Sequence, residues 1–499
     1  MSQVHTRTLP NYSKYSKLWN FYSESYVGGE DYFKSHLVKY YKEGAISYAN
    51  RLERAYRENY CKAVIDTINS YLFKETPTRH LGDKRLEEFF ANIDGHGKDI
   101  NQFMKSASIV SSIVGRVYIV TDKTKLPDDK VTGTKRDDLE ASCYCYLVSP
   151  MCVKDIAFDD FGRVKWAIIE ETVRDDDDPD TSSGDVTSRL RVWKKGGWVL
   201  YDENGAQVEK GEYKFDYPPI TYIDTGEKLD AYNGTSVISD IAYMDKAIFN
   251  NLSRLDNIIS DQTFSQLIFP IEGLLVEEIL RDADLKDKYM KLTIGNILFY
   301  SAQAEAKPEY ISPDASQAEV ILSTIKHQIR QVYASIGLQP PDTESTDYKS
   351  GVSKQYDFDK LNKLLAGKAD NIELAERQII ENFNKWMETD FDATINYPDE
   401  FDIRSLADEI ILGQELMLLD ISETFNKVIQ KNITMKALPK EGKDTIEKIL
   451  KEIEAKKEPS MEDAMDFDGE DPKDALHAEK NKKIQQLTQT KYRVEKNLS

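Results

Sequence analysis

The string Asp94-Gly95-His96-Gly97-Lys98-Asp99 carries a Gly-x-Gly-Lys fragment. A phosphate-binding loop would add a glycine at position 92 and a Ser or Thr at position 99, where a hydroxyl could hold Mg²⁺. Asn92 and Asp99 stand there instead, so the fragment reads as a helix-breaking turn. Cys143 and Cys145 share one face if their segment is a strand, with Cys152 close behind. Zinc takes four ligands, usually from CxxC-type pairs. This pair is CxC and Cys61 is far away in sequence, so the thiols read as small buried hydrophobes. The six histidines fall in no HExxH or nucleophile-elbow pattern. The run Asp175–Asp178 could hold a divalent cation weakly, but it reads as a solvated loop. No catalytic residue, metal ligand or cofactor is expected, and the chain does not read as an enzyme.

The remaining candidate is a loop. Residues 314–338 and a second stretch from Lys354 to about Glu388 both read as helices. Between them lies QPPDTESTDYKSGVSKQ. Its Pro-Pro pair stops a helix, and nothing in it could form a core. A polar loop held between two long helices suggests a surface that touches something mobile. Over Thr343, Glu344, Ser345, Thr346, Asp347, Tyr348, Lys349, Ser350 and Gly351, Lys349 is the single positive charge, and Lys354 opens the next helix.

The composition limits what such a loop can serve. At 499 residues, 40% of them hydrophobic, the chain can bury several cores. No run approaches the roughly 18 apolar residues of a membrane span. The N-terminus lacks an apolar signal segment, so secretion by that route is not expected. Four cysteines make no disulfide scaffold and fit folding in a reducing cytoplasm. A formal net charge of -21 excludes a simple DNA-coating protein, which would be basic. Acidity of this size reads first as charge that keeps the chain soluble; a wall along which DNA slides would also be acidic, because each phosphate gripped would add friction.

The pattern along the chain is α+β and helix-dominated. The first 115 residues read as helical, with a stripe at Tyr48, Leu52, Tyr56, Tyr60, Val64, Ile68 and Leu72 that predicts one helix closed by Pro77. LGDKRLEEFFANI and KDINQFMKSASIVSSIV read as a further helix pair ended by Gly115, and RVYIVTD reads as a strand. From about Ser142 to Asp224, CYCYLVSP, VKWAIIEETV, RLRVWKK, GWVLYD and ITYID read as strands, with Arg174–Asp185 as an acidic hairpin tip. Helix resumes near Ser236 with a stripe at Ile238, Ile241, Met244, Ile248, Leu252, Leu255 and Ile259. DATINYPDEF gives a short strand and residues 404–455 are again helical. Residues Glu458–Asp474 hold eight acids against one lysine and read as a disordered acidic linker.

Several segments, taken in order, resemble the portal protein superfamily of tailed double-stranded DNA bacteriophages: YVGGEDYFKSHL, YANRLERAYRENYCKAVIDTINSYLFKETP, NIDGHGKDINQF with GRVYIVTD, YLVSPMCVKDIAFDDFGRVKWAIIEE, NGTSVISDIAYMDKAIFNNLSRLDNII, IGNILFYSAQAEAKPEYISPD and SKQYDFDKLNKLLA. The likeness covers roughly residues 20 to 400 and rests on their order. It implies a wing over 1–235, a first stem helix over 236–264, a clip over 265–313, a second stem helix over 314–338, a tunnel loop over 339–353, a long wing helix and short strand over 354–403, a crown over 404–455 and an acidic linker with a tail over 456–499. It further implies a homo-oligomeric ring of twelve subunits at one capsid vertex of the virion, assembled in the host cytoplasm. Double-stranded DNA passes through that ring during packaging and ejection. The implied partners are the large terminase, head-completion or adaptor proteins, the major capsid protein and a scaffold, with no membrane. Thr343 to Gly351 and Lys354 would then face DNA. Asp245, Asn250 and Arg254 on the first stem helix, with Lys326 and Arg330 on the second, would line the channel. Two other classes stay open: a head–tail adaptor or other structural ring, and a nuclease using the acidic clusters with Mg²⁺.

Overall fold

The computed structural model describes residues 3–123, 143–226, 232–263, 266–271, 281, 298–301, 307–311, 316–338, 351–399, 401, 416–417, 421–438 and 443–455. The chain is mixed helix and sheet, with helix predominating, and divides into two units, Met1–Phe401 and Asp402–Ser499.

The first unit begins with helices α1 (Tyr12–Val27), α2 (Glu30–His36), α3 (Ala45–Glu53) and α4 (Tyr60–Leu72), a short strand β1 (Thr78–His80), then α5 (Lys84–Ala91) and α6 (Ile100–Val114). Asp99 accepts from the Gln102 N–H and caps α6, and Gly115 ends it at φ 90, a left-handed conformation that glycine adopts without penalty. The chain turns there directly into β2 (Arg116–Lys123), the middle strand of an antiparallel sheet β3-β2-β9, with β3 at Cys143–Val148 and β9 at Ile220–Asp224. Alternate side chains of a strand face opposite ways. Val117 and Ile119 therefore enter a large core with the helices, while Tyr118 and Val120 enter a second core. That second core is closed by a five-stranded antiparallel sheet in sequential order: β4 (Val153–Phe158), β5 (Val164–Arg174), β6 (Val186–Lys194), β7 (Gly197–Tyr201) and β8 (Gln207–Glu212). Strand β2 is buried on both faces, which is why RVYIVTD shows no polar alternation.

After β9 come helix α7 (Ile241–Thr263), a three-stranded sheet of β10 (Gln266–Ile271), β11 (Leu298–Ser301) and β12 (Glu309–Ile311), and helix α8 (Ser316–Ser335). In that sheet β10 is central, parallel to β11 and antiparallel to β12. Helix α9 (Gly351–Met387) then runs through the helical core, burying Leu361, Leu365, Ile372, Ile379 and Phe383. Strand β13 (Thr394–Asn396) pairs with β1. The second unit contains α10 (Glu423–Ala437) and α11 (Lys443–Ala455). Ser422 caps α10, and Lys427 and Lys431 both reach Glu454 on α11. The acidic linker and tail from 456 lie outside the described residues.

The structure corrects four readings of the sequence. The stripe from Tyr48 to Leu72 is two helices, because residues 54–59 leave the helical path. Asn59 accepts from the Lys62 N–H and starts α4 afresh, while Arg57 is drawn sideways into an ion pair. Helix α7 begins at Ile241 instead of Ser236, since the Ser236 hydroxyl is committed to the Ser112 and Ile113 carbonyls at the end of α6. Helix α9 starts at Gly351, three residues early; the Pro340-Pro341 pair lies well upstream and no proline interrupts it. Strand β8, QVEKGE, was not picked out because it is a polar edge strand with both faces largely exposed.

Candidate functional site

Helix α8 packs back on α7, so that one helix, a small sheet and a second helix form an out-and-back excursion of the chain within the first unit. Helix α7 contributes Ile248, Leu252 and Leu255 to the helical core, and α8 contributes Ile325, Ile329 and Val332. Asn251 Nδ2 donates to Gln328 Oε1 across the pair at 3.2 Å.

A second face of α7 is bound to the segment between α2 and α4 by three arginines spaced three apart. Arg57 and Asp245 form an ion pair that is 2% and 0% exposed. Arg57 also donates to the Ser25 carbonyl at 2.8 Å and lies 3.9 Å from the centre of the Tyr32 ring, and Asp245 accepts from the Cys61 N–H at 3.2 Å. Burial opposes the guanidinium's charge, yet the Asp245 carboxylate outweighs it and holds the Arg57 pKa above its ordinary value. Arg51 donates to Ser253 Oγ at 2.9 Å, and Arg54 reaches Ser260 Oγ at 3.1 Å and Asp256 at 3.6 Å. Asn250 Oδ1 accepts from the Val38 N–H, and its Nδ2 donates to the His36 carbonyl.

These contacts sort the channel-lining candidates. Asp245 cannot line a channel: it is sealed inside the chain's own fold with Arg57. Asn250 is half-buried and its amide is spent on the α2–α3 segment. Arg254, Lys326 and Arg330 are exposed; Arg254 donates to Asn251 Oδ1 at 3.2 Å, and Lys326 and Arg330 stand four residues apart on one face of α8. Of the loop residues, Thr343, Glu344, Ser345, Thr346, Asp347, Tyr348, Lys349 and Ser350 lie outside the described residues, and Gly351 and Lys354 fall in the first turn of α9. Arg51, Arg57 and Glu43 were missed as structural determinants. The signal available was the arginine row at 51, 54 and 57 opposite polar residues at 245, 253, 256 and 260.

The other motifs close on themselves. Asp94 Oδ1 accepts from the His96 and Lys98 N–H groups and Asn92 Oδ1 from that of Gly97, so this turn has no amide cradle left for a phosphate. Cys143 and Cys145 are buried free thiols, each pushed up to about 12 by burial. At the acidic tip Asp175 accepts from Ser183 N–H and Oγ, which together hold its carboxyl below the usual range. Among the described residues no group of three or more His, Cys, Asp or Glu is placed to hold a metal ion, and no helix is long and apolar enough to cross a membrane.

No protein-family model matches the chain, and no curated protein does. Among solved structures it is similar to a chain from the neck of an empty GTA (gene transfer agent) particle computed with C6 symmetry, at TM-score 0.38 and 8% identity over 78% of this chain and 93% of that one.

Proposed function

We propose that this chain is a portal protein subunit: one segment of a ring that forms the channel for DNA packaging and ejection and the docking site for terminase and head–tail connector proteins. The observation that carries the reading is the helix–small sheet–helix order of α7, β10–β12 and α8 ahead of the long helix α9; with the polar sequence 339–350 between α8 and α9, this is the order that the sequence resemblance assigns to stem, clip, stem, tunnel loop and wing helix. The surface of that excursion supports assembly. Tyr243 and Ile259 on α7, Tyr310 on β12 and Val320 and Leu322 on α8 are large apolar side chains left exposed, as expected of helices that gain further neighbours when subunits join. The function is mechanical and no catalytic step is assigned. Clip residues meet the terminase and then head-completion proteins; the major capsid protein and scaffold contact the outside of the ring. Electron microscopy of the purified protein, averaged end-on, tests this. Rings with a central hole are expected; monomers or dimers over a range of salt and concentration would overturn the reading.

A further inference from the structure

We propose that the segment from Leu37 to Ile46 is a preformed knob that seats against a second copy of this chain. The proposal rests on the ring reading above and names one of the contacts that closes it. The segment is held from beneath. Arg51, 2% exposed, donates to both carboxylate oxygens of Glu43 at 2.8 Å, to the Val38 carbonyl at 2.7 Å and to Ser253 Oγ on α7, and lies 4.0 Å from the centre of the Tyr40 ring. Glu43 also accepts from the Tyr40 N–H, and Tyr48 Oη donates to the Leu37 carbonyl. Leu37 is buried with Tyr32 and Phe249. On the outer side the same few residues expose Val38, Tyr41 and Ile46, at 51%, 99% and 80%. A buried, multiply bonded arginine is an expensive way to support a loop whose outer face merely meets water. Side chains fixed in advance lose little freedom on docking, so they suit an interface anchor.

Charge selects the occupant. Exposed Lys39 and Lys42 flank Tyr41, and the one acid between Leu37 and Ile46, Glu43, is spent on buried Arg51, in a chain of net charge -21. A basic, apolar knob on an otherwise acidic molecule is complementary to the acidic surface of another copy. A ring uses such unlike faces head to tail. Duplex DNA would satisfy the lysines but leave Val38 and Ile46 unused.

The test compares full-length wild type with the double variant Tyr41→Asp, Ile46→Asp, by particle mass over a concentration series and by end-on electron microscopy. Photo-cross-linking from p-benzoylphenylalanine at position 41 runs alongside and needs no disruptive change. The expected result is an assembly midpoint raised about tenfold or more, an unchanged melting temperature, and a cross-link joining two copies. Assembly at the wild-type midpoint without such a cross-link overturns the knob and leaves the ring reading intact. A smaller wild-type oligomer that the variant loses would keep the knob and overturn the ring. Wild type that stays monomeric, with no cross-link, overturns both. Rings at the normal midpoint with weakened binding to a duplex DNA fragment would assign the knob to DNA and overturn the proposal.

Discussion

At the scale of single residues, buried charge is where this protein is most exposed to mutation. Asp245 and Arg57 are sealed together, so removing one partner leaves the other charged and desolvated. Arg57→Leu should cost about 3–5 kcal/mol in urea unfolding, and the double change Arg57→Leu, Asp245→Leu should recover much of that loss. A double variant as unstable as the single one would show that packing around Arg57, and not its charge, matters. Lys368 is the opposite case. It is 1% exposed, its Nζ donates to Ser112 Oγ at 3.0 Å, and burial pushes its pKa down to about 7. The unfolded chain holds this proton up to about pH 10.4. Between pH 7 and 10 the unfolded state therefore binds more protons, and stability rises with pH. Lys368→Met should stabilise the protein at pH 7, with the advantage shrinking toward pH 10; a pH-independent difference in urea midpoint would sink the assignment. Neither residue announces this in the sequence. Asp245 reads there as one polar position on an amphipathic helix, because its partner lies 188 residues away.

At the scale of elements, local chemistry predicts what forms and long-range contact decides where it stops. The break at Asp94–Gly97, the end of α6 at Gly115 and the strands from β5 to β7 follow from turn residues and periodicity. Helix α3 ends before residue 54 even though the apolar stripe continues through Tyr56, because Arg57 and Asn59 take tertiary partners. Gly115 shows how closely the elements then fit. A Cβ there would stand 2.3 Å from the Gly234 carbonyl oxygen, and one on Gly234 would stand 2.0 Å from that of Gly115. The two glycines let the α6–β2 turn and the approach to α7 pass backbone against backbone. Gly115→Ala should cost at least about 1–3 kcal/mol from its positive φ alone, more once the clash is added, measured as a lowered urea midpoint. A neutral result would mean that the two turns separate at little cost.

At the scale of the whole molecule, the proposed role depends on surfaces that only an assembly satisfies. On the proposed role, the exposed apolar residues of α7 and α8 would be covered by neighbouring subunits, and Arg254, Lys326 and Arg330, all exposed, would be the side chains that face a passing polyanion. If the loop faces DNA, deleting Thr343 to Gly351 should leave rings intact and impair packaging or DNA retention, as read by packaged DNA per particle. Loss of the rings themselves would show that the loop builds the subunit contact instead.

The sequence by itself determined the class of the fold, the order of helix, sheet and helix, and the exclusion of a disulfide scaffold and a basic DNA-coating surface. Those properties live in periodicity, punctuation residues and summed charge, all of which are local or additive. Only the tertiary structure decided which face of α7 is inside. Asp245 and Asn250 turn toward the N-terminal helices and Arg254 toward solvent, although all three sit within ten positions of one helix. A helical stripe gives the direction of the core but not the identity of what covers the flanks. Here the cover is a row of arginines from a distant part of the chain, and the cost of burying charge without a partner is what fixes their placement.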